Sequence, residues 1–225
     1  MNKEYSRIPV SREAAAGAAV YTKFTLLFYD LLVMGFENRF VWKCGTRKIV
    51  DFYNLHLSPR HLDVGVGTGY FLDKSTFPNG TPLLHLMDLN PNSLEKTSRR
   101  MRRYAPVAHL WNVLEPVREE LPQFESIALS NILHCLPGDM RSKAAVFHNL
   151  LGLLSEGGTL FGLTILGKGV RAGWLYALFN GLYNRFAFFA NRQDGREELE
   201  AVLRSHFSDY TLEVVGSVAL FSGKK

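Results

Sequence analysis

An apolar strand that runs straight into three alternating glycines constrains this chain more than any other feature. Residues 61–73 read HLDVGVGTGYFLD: a strand is predicted over His61–Val64, a helix over Tyr70–Phe77, and Gly65, Gly67 and Gly69 lie between them. Lacking a Cβ, glycine lets such a turn adopt positive φ and bring backbone N–H groups against a ligand. The dinucleotide fingerprint G-x-G-x-x-G requires its third glycine where Tyr70 stands. The turn here is G-x-G-x-G with Asp63 ahead of it, which argues against a pyrophosphate and so against a nicotinamide dehydrogenase.

Around that turn, short apolar runs alternate with helix-period segments. Strands are predicted over Pro82–Asp88, Val107–Val113, Phe124–Ser130 and Thr159–Leu166. Helices are predicted over Pro91–Tyr104, with Pro91 in its first turn, and Met140–Leu154, closed by Gly157-Gly158. Two further helical segments, Gly173–Ala190 and Arg196–His206, precede strands at Tyr210–Val215 and Ser217–Phe221, which only Gly216 separates. Strands joined that tightly must be antiparallel. The expectation is an α/β fold, a Rossmann-like doubly wound, three-layer α/β/α arrangement. Its seven-stranded sheet is mostly parallel and ends in a C-terminal antiparallel hairpin.

With 225 residues, 47% of them hydrophobic, the chain supports one substantial core, and a single domain over 1–225 is expected. Its parts would be a helical cover (1–58), a ligand-binding core (59–166), an aromatic insert (167–195) and the last helix with its hairpin (196–225). The formal charge of +5 is too small to argue for nucleic acid. Cys44 and Cys135 form no disulfide framework, which favours a reducing, cytoplasmic setting. The apolar stretch 17–36 is interrupted by Lys23 and Asp30, so no stable membrane insertion is expected.

Asp88 ends the next strand, nineteen residues beyond Gly69, where a carboxylate can accept from both hydroxyls of a ribose. An adenosine-type cofactor follows from the two features together. LDVGVGTG with the downstream LMDLNPNSL resembles the class I S-adenosylmethionine-dependent methyltransferases, closest to the small-molecule branch that includes the quinone-biosynthesis-like enzymes. The resemblance covers roughly His61–Leu166 and the final hairpin, about two thirds of the chain, and the family's reversed seventh strand matches the tail. It implies S-adenosylmethionine as cofactor and S-adenosylhomocysteine as product. It further implies that Asp63 and the Gly65–Gly69 backbone hold the methionine part, that Asp88 holds the ribose, and that Leu89 packs on the adenine. The family places an acid after the third strand to accept the adenine amino group. Asn112, followed by Val113, stands there, and an amide oxygen can accept the same bond.

The end of the fourth strand, SNILHCLPG from Ser130 to Gly138, sorts the chemistry. It lacks the Asp/Asn-Pro-Pro-aromatic motif of nucleic-acid amino-methyltransferases, so an RNA methyltransferase is disfavoured. Cys135 does not follow a proline, as a pyrimidine C5 nucleophile would, and reads as a buried thiol. Ser130 and Asn131 offer no acid to a metal, and none is expected. Ser130 is assigned to the cofactor and His134 is the candidate general base. Arg99, Arg100, Arg102 and Arg103 read as a solvated helix end.

Residues 173–190 carry seven aromatics and one charge, Arg185. Trp174, Phe179 and Tyr183, with Tyr21 and Tyr29 of the N-terminal cover, are the candidate substrate wall for an aromatic or polyketide-like molecule. A homodimer interface is the competing reading of the same helix. The expected function is methyl transfer to oxygen or carbon of a hydrophobic small molecule, as in secondary metabolism. The alternative is a cofactor-binding protein or cyclisation catalyst of the same fold that does not methylate.

Overall fold

The computed structural model describes residues 37–117, 120–171 and 173–225. Tyr21, Tyr29 and most of the predicted N-terminal cover lie outside them. In chain order the elements are α1 (Thr46–His56), β1 (Arg60–Val64), α2 (Tyr70–Lys74), β2 (Leu83–Asp88), α3 (Pro91–Arg100), β3 (Val107–Leu110) and β4 (Phe124–Ser130). There follow α4 (Met140–Leu151), β5 (Leu154–Ile165), α5 (Trp174–Arg185), α6 (Arg196–His206), β6 (Asp209–Val215) and β7 (Val218–Lys224).

All seven strands form one sheet in the order β3-β2-β1-β4-β5-β7-β6. β1 pairs in parallel with β2 on one side and β4 on the other. β7 is antiparallel to both of its neighbours, β5 and β6, so it is the single reversed strand that the Gly216 hairpin requires. Gly216 itself turns at φ 62°.

Apolar side chains alternate between the two faces of the sheet and build two cores. One joins Ile49 and Tyr53 of α1, Phe71 of α2 and Leu94 of α3 to Leu84, Leu86, Phe161 and Leu163 of the sheet. The other joins Val146, Phe147 and Leu150 of α4 and Leu199 and Leu203 of α6 to Leu62, Val64, Ile127 and Phe221. Burial of these side chains on both faces is what fixes strand register, since a one-residue slip would turn each strand inside out.

Several boundaries differ from expectation for local reasons. α2 stops at Lys74, where Ser75 leaves the helical region and its hydroxyl bonds back to Phe71 O at 2.7 Å. α4 ends at Leu151, and Gly157-Gly158 lie inside the longer strand β5 instead of closing the helix. The register shift between Phe124 and Ser126 takes up that extension. α5 ends at Arg185 because Ala187 adopts a left-handed φ of 56°. α3 and α4 begin as their sequences dictate: Asn90 caps Asn92 N ahead of Pro91, and Asp139 with Ser142 forms a reciprocal capping box.

Candidate active site

The strand order reverses between β1 and β4, and the carboxyl ends of parallel strands at such a switch point open a crevice. Here the crevice is a cleft of about 1070 Å3, counted to its open mouth. Asp63, Gly65, Gly67, Gly69, Asp88, Leu89, Asn112, Val113 and Ser130 all line it. The nine residues expected at a cofactor thus meet on one surface.

The glycine turn is built by its surroundings. Gly65, Gly67 and Gly69 have φ of 72°, 51° and 67°. A Cβ on Gly65 would come within 2.8 Å of Ile132, and one on Gly69 within 2.6 Å of Thr97, whereas one on Gly67 would meet nothing within 4 Å. Two of the glycines are therefore demanded by packing, and the third keeps a cradle clear. From below, Thr97 Oγ1 donates to Gly67 O at 3.1 Å and Arg100 donates to Thr68 O at 2.8 Å. Arg103 pairs with Asp73 at 2.6 Å. These arginines brace the turn and the helix after it, which corrects their reading as a solvated helix end.

Asp88 spans the turn and the start of α3. Its Oδ2 accepts from Gly67 N at 3.3 Å and its Oδ1 from Asn90 N at 2.8 Å, leaving each oxygen further lone-pair capacity toward the cleft. Burial pushes its carboxyl up to about 6, partly offset by the two N–H donors and reinforced by the charge of Asp63. Asn112 accepts from Leu114 N at 3.1 Å and donates to Glu115 at 3.3 Å, so its amide is fixed in orientation. Ser130 Oγ is buried with no hydrogen-bond partner among the described residues.

Sequence reasoning did not place Tyr53 or Asn131, among other lining residues, on this surface. Tyr53 reaches the cleft from α1, and burial, then the neighbouring Asp63 carboxylate, holds its phenol well above the ordinary value. Helical periodicity marks Tyr53 as core and carries no sign of the cleft. Asn131 ends β4 with φ 58°, a conformation that asparagine tolerates better than most residues. An asparagine directly after a buried strand was the available signal.

His134 is not brought to the cleft. It is 3% exposed, packs edge-on to Phe189 at 4.4 Å, and its Nδ1 accepts from Ile165 N at 3.2 Å. A nitrogen that accepts a backbone N–H carries no proton, so the neutral ring holds its proton on Nε2. Burial, with Lys143 as a lesser cause, lowers its pKa to about 3. The ring accepts from Ile165 N and does not line the cleft, where the base expected from the sequence would stand. Burial likewise pushes the Cys135 thiol up to about 12.

The aromatic insert divides. Tyr183 donates to Glu37 Oε1 at 2.5 Å and packs against Trp42 and Phe189, while Phe179 lies against the same core. Trp174 is 74% exposed. None of the three lines the cleft, and Trp174, Leu178, Leu182 and Phe186 form an apolar stripe along the outer face of α5. Among the described residues no helix is long and apolar enough to cross a membrane.

The donor set can be tested against candidate ligands. Asp63 precedes the glycine turn and Asp88 bonds its middle glycine, and among the described residues no lysine or arginine lines the cleft. Phosphates would find no counter-charge there, whereas an ammonium and a pair of hydroxyls find acceptors. Comparison with known proteins agrees. Residues 62–160 match the family model described as a methyltransferase domain. The methyltransferase aurB of Calcarisporium arbuscula is 36% identical over 91% of this chain and 95% of its own length. The chain belongs to the class I S-adenosylmethionine-dependent methyltransferases. The demethylluteothin O-methyltransferase of Streptomyces thioluteus is 34% identical over 94% of the chain and 92% of its own. The fold is shared with the N-methyltransferase NodS from Bradyrhizobium japonicum in complex with S-adenosylhomocysteine. That likeness has a TM-score of 0.55 at 14% identity, over 80% of this chain and 85% of that one. The protein is thus a methyltransferase of the small-molecule type, and its cofactor is S-adenosylmethionine.

Proposed function

We propose that this methyltransferase modifies an oxygen or carbon atom of a hydrophobic, aromatic or polyketide-like small molecule, without a metal. One observation carries the reading: among the described residues the cleft presents acceptors for an amine and for ribose hydroxyls but no cation for a phosphate. In support, the relative from Streptomyces thioluteus is by its name an O-methyltransferase of demethylluteothin, and another, from Aspergillus chevalieri, belongs to physcion biosynthesis.

The cofactor supplies an activated methyl group. In this reading Asp63 and the turn N–H groups orient its methionine part, and Ser130 lies against the same part. Asp88 accepts from the ribose, Leu89 and Val113 close on the adenine, and Asn112 accepts its amino group. An in-line displacement asks the protein for alignment above all. Asn131 and Ile132, at the end of β4, form the edge past which the acceptor approaches. His134 positions that edge from behind.

The chain is read as one domain. Residues 1–58, with Tyr21 and Tyr29, and residues 167–195 serve as the acceptor's cover, with Phe179 and Tyr183 packing the second segment against the core and Trp174 facing outward. Nucleic acid is not a partner in this reading, because Arg99, Arg100 and Arg103 are engaged by Glu95, Thr68 and Asp73 of the same chain. The outer stripe of α5 suits a homodimer contact, and the two unpaired cysteines suit the cytoplasm. The test is incubation with S-adenosylmethionine and a panel of hydrophobic phenols and enols, following S-adenosylhomocysteine release. Stoichiometric product with a methylated acceptor supports the proposal. Cofactor binding without turnover on any of them, and turnover on RNA instead, overturns it.

A further inference from the structure

Behind the cleft, on β1, His61 is fully buried in the centre of the sheet, between Phe77 and Phe161 at 5.8 and 6.0 Å. An imidazole in such a place must have both nitrogens satisfied or aimed at something. Its Nδ1 lies 2.8 Å from Ser126 Oγ, and Ser126 Oγ accepts the backbone N–H of Ser58 at 3.0 Å. While accepting from Ser58 N, the hydroxyl keeps its own proton and can donate it to His61 Nδ1. That leaves the ring proton on Nε2. Nε2 has no hydrogen-bond partner among the described residues, and the polar atom it faces is Asp63 Oδ2 at 3.8 Å. The distance is too long for a hydrogen bond, yet both side chains are almost wholly out of water, where an N–H dipole aimed at a carboxylate is little screened.

We propose that His61 is a positioning residue for Asp63: the chain Ser58 N–H, Ser126, His61 orients a donor from inside the sheet toward the back of the carboxylate and turns its free lone pairs to the cleft. The inference rests on the reading of Asp63 as the holder of the cofactor's amine. His61 touches no reacting atom, and its effect is confined to the amino-acid end of the ligand.

Two ligands separate this role from a merely structural one. S-adenosylhomocysteine carries the amino-acid part and 5′-methylthioadenosine lacks it. In His61→Leu, affinity for S-adenosylhomocysteine falls roughly five- to tenfold while affinity for 5′-methylthioadenosine is unchanged. His61→Gln, whose amide reaches the Nε2 position, restores the difference between the ligands. If His61→Leu does not fold, His61→Asn keeps the contact with Ser126 and withdraws the donor from Asp63, with the same loss expected. Equal loss for both ligands, or no loss for either, overturns the proposal. Asp63→Asn is the control. Selective loss there without selective loss at His61 overturns the role of His61 alone, and no selective loss in Asp63→Asn removes the premise about the amine.

Discussion

The carboxyl ends of β1 and β2 and the back of β4 and β5 are both rich in polar side chains, but they treat them in opposite ways. At the first, Asp63, Asp88 and Ser130 retain unused capacity facing the cleft. At the second, most polar groups close on one another, although Asp194 Oδ1 is left without a partner among the described residues. Lys143 donates to Ala190 O at 2.9 Å and to Asp194 at 2.5 Å, with both side chains wholly buried. Asn191 donates to Ile165 O at 2.9 Å, Ala190 N to His134 O at 2.8 Å, and Ile165 N to His134 Nδ1. Open capacity marks a place for a ligand, and a closed network marks architecture. This one staples the chain after α5 to the strands that frame the cleft.

That contrast breaks most visibly in the closed region. Lys143→Ala leaves Asp194 charged and unpaired in the interior, and a loss of about 3–5 kcal/mol is expected from chemical denaturation. Burial lowers the Lys143 pKa and raises that of Asp194, in keeping with a pair that is held in place by its surroundings. In the open region the order of effects is reversed. Asp88→Ala should cost less stability than Lys143→Ala, since the N–H groups of Gly67 and Asn90 that it frees are only part-buried, and weaken S-adenosylhomocysteine binding by roughly 1.5–3 kcal/mol, read by calorimetry. An Asp88→Ala protein that unfolds readily, or a Lys143→Ala protein that melts like the parent, would dissolve the distinction.

The open region was legible in the sequence because its chemistry is local. G-x-G-x-G after a strand, Asp63 before it and Asp88 at the next strand end are fixed by one β-α-β unit, and so is their convergence. Reversal of β7 was equally legible, since one glycine between two strands allows no other geometry. His134 was not legible as a buried acceptor, because its partner Ile165 lies thirty-one residues away on β5. Lys143 gave no signal either. It sits on a helix between Ser142 and Ala144, and only its meeting with Asp194 makes it the buried member of a pair. Trp174 looked like pocket wall from composition alone, yet composition cannot say which side of α5 faces the protein.

His134→Ala sharpens the comparison at smaller scale. It leaves the buried N–H of Ile165 unsatisfied, at a cost of about 1–3 kcal/mol in stability. His134→Asn, which keeps an acceptor near the Nδ1 position, should recover most of that and most of the turnover. A base would be lost in both variants, so turnover abolished in the folded His134→Asn protein restores the catalytic reading.

The mildest test is pH. His134, at about 3, stays neutral through the working range and can impose no acid limb near neutrality. Asp88 does titrate there. Its folded value is raised from 3.8 to about 6, so it is a carboxylate above that pH and a carboxylic acid below it. In the proposed binding mode the carboxylate accepts from two ribose hydroxyls, while the protonated group has lost acceptor capacity. Affinity for S-adenosylhomocysteine should therefore be level above about pH 7 and decline by up to about tenfold per unit below pH 6, as binding must first displace a proton. Asp88→Asn binds more weakly at pH 8 but has nothing to titrate, so its profile should be flat where the parent's falls. A decline of equal slope in both proteins would move the titrating group elsewhere in the cleft. Asp63, the other cleft carboxylate, would be the next to substitute.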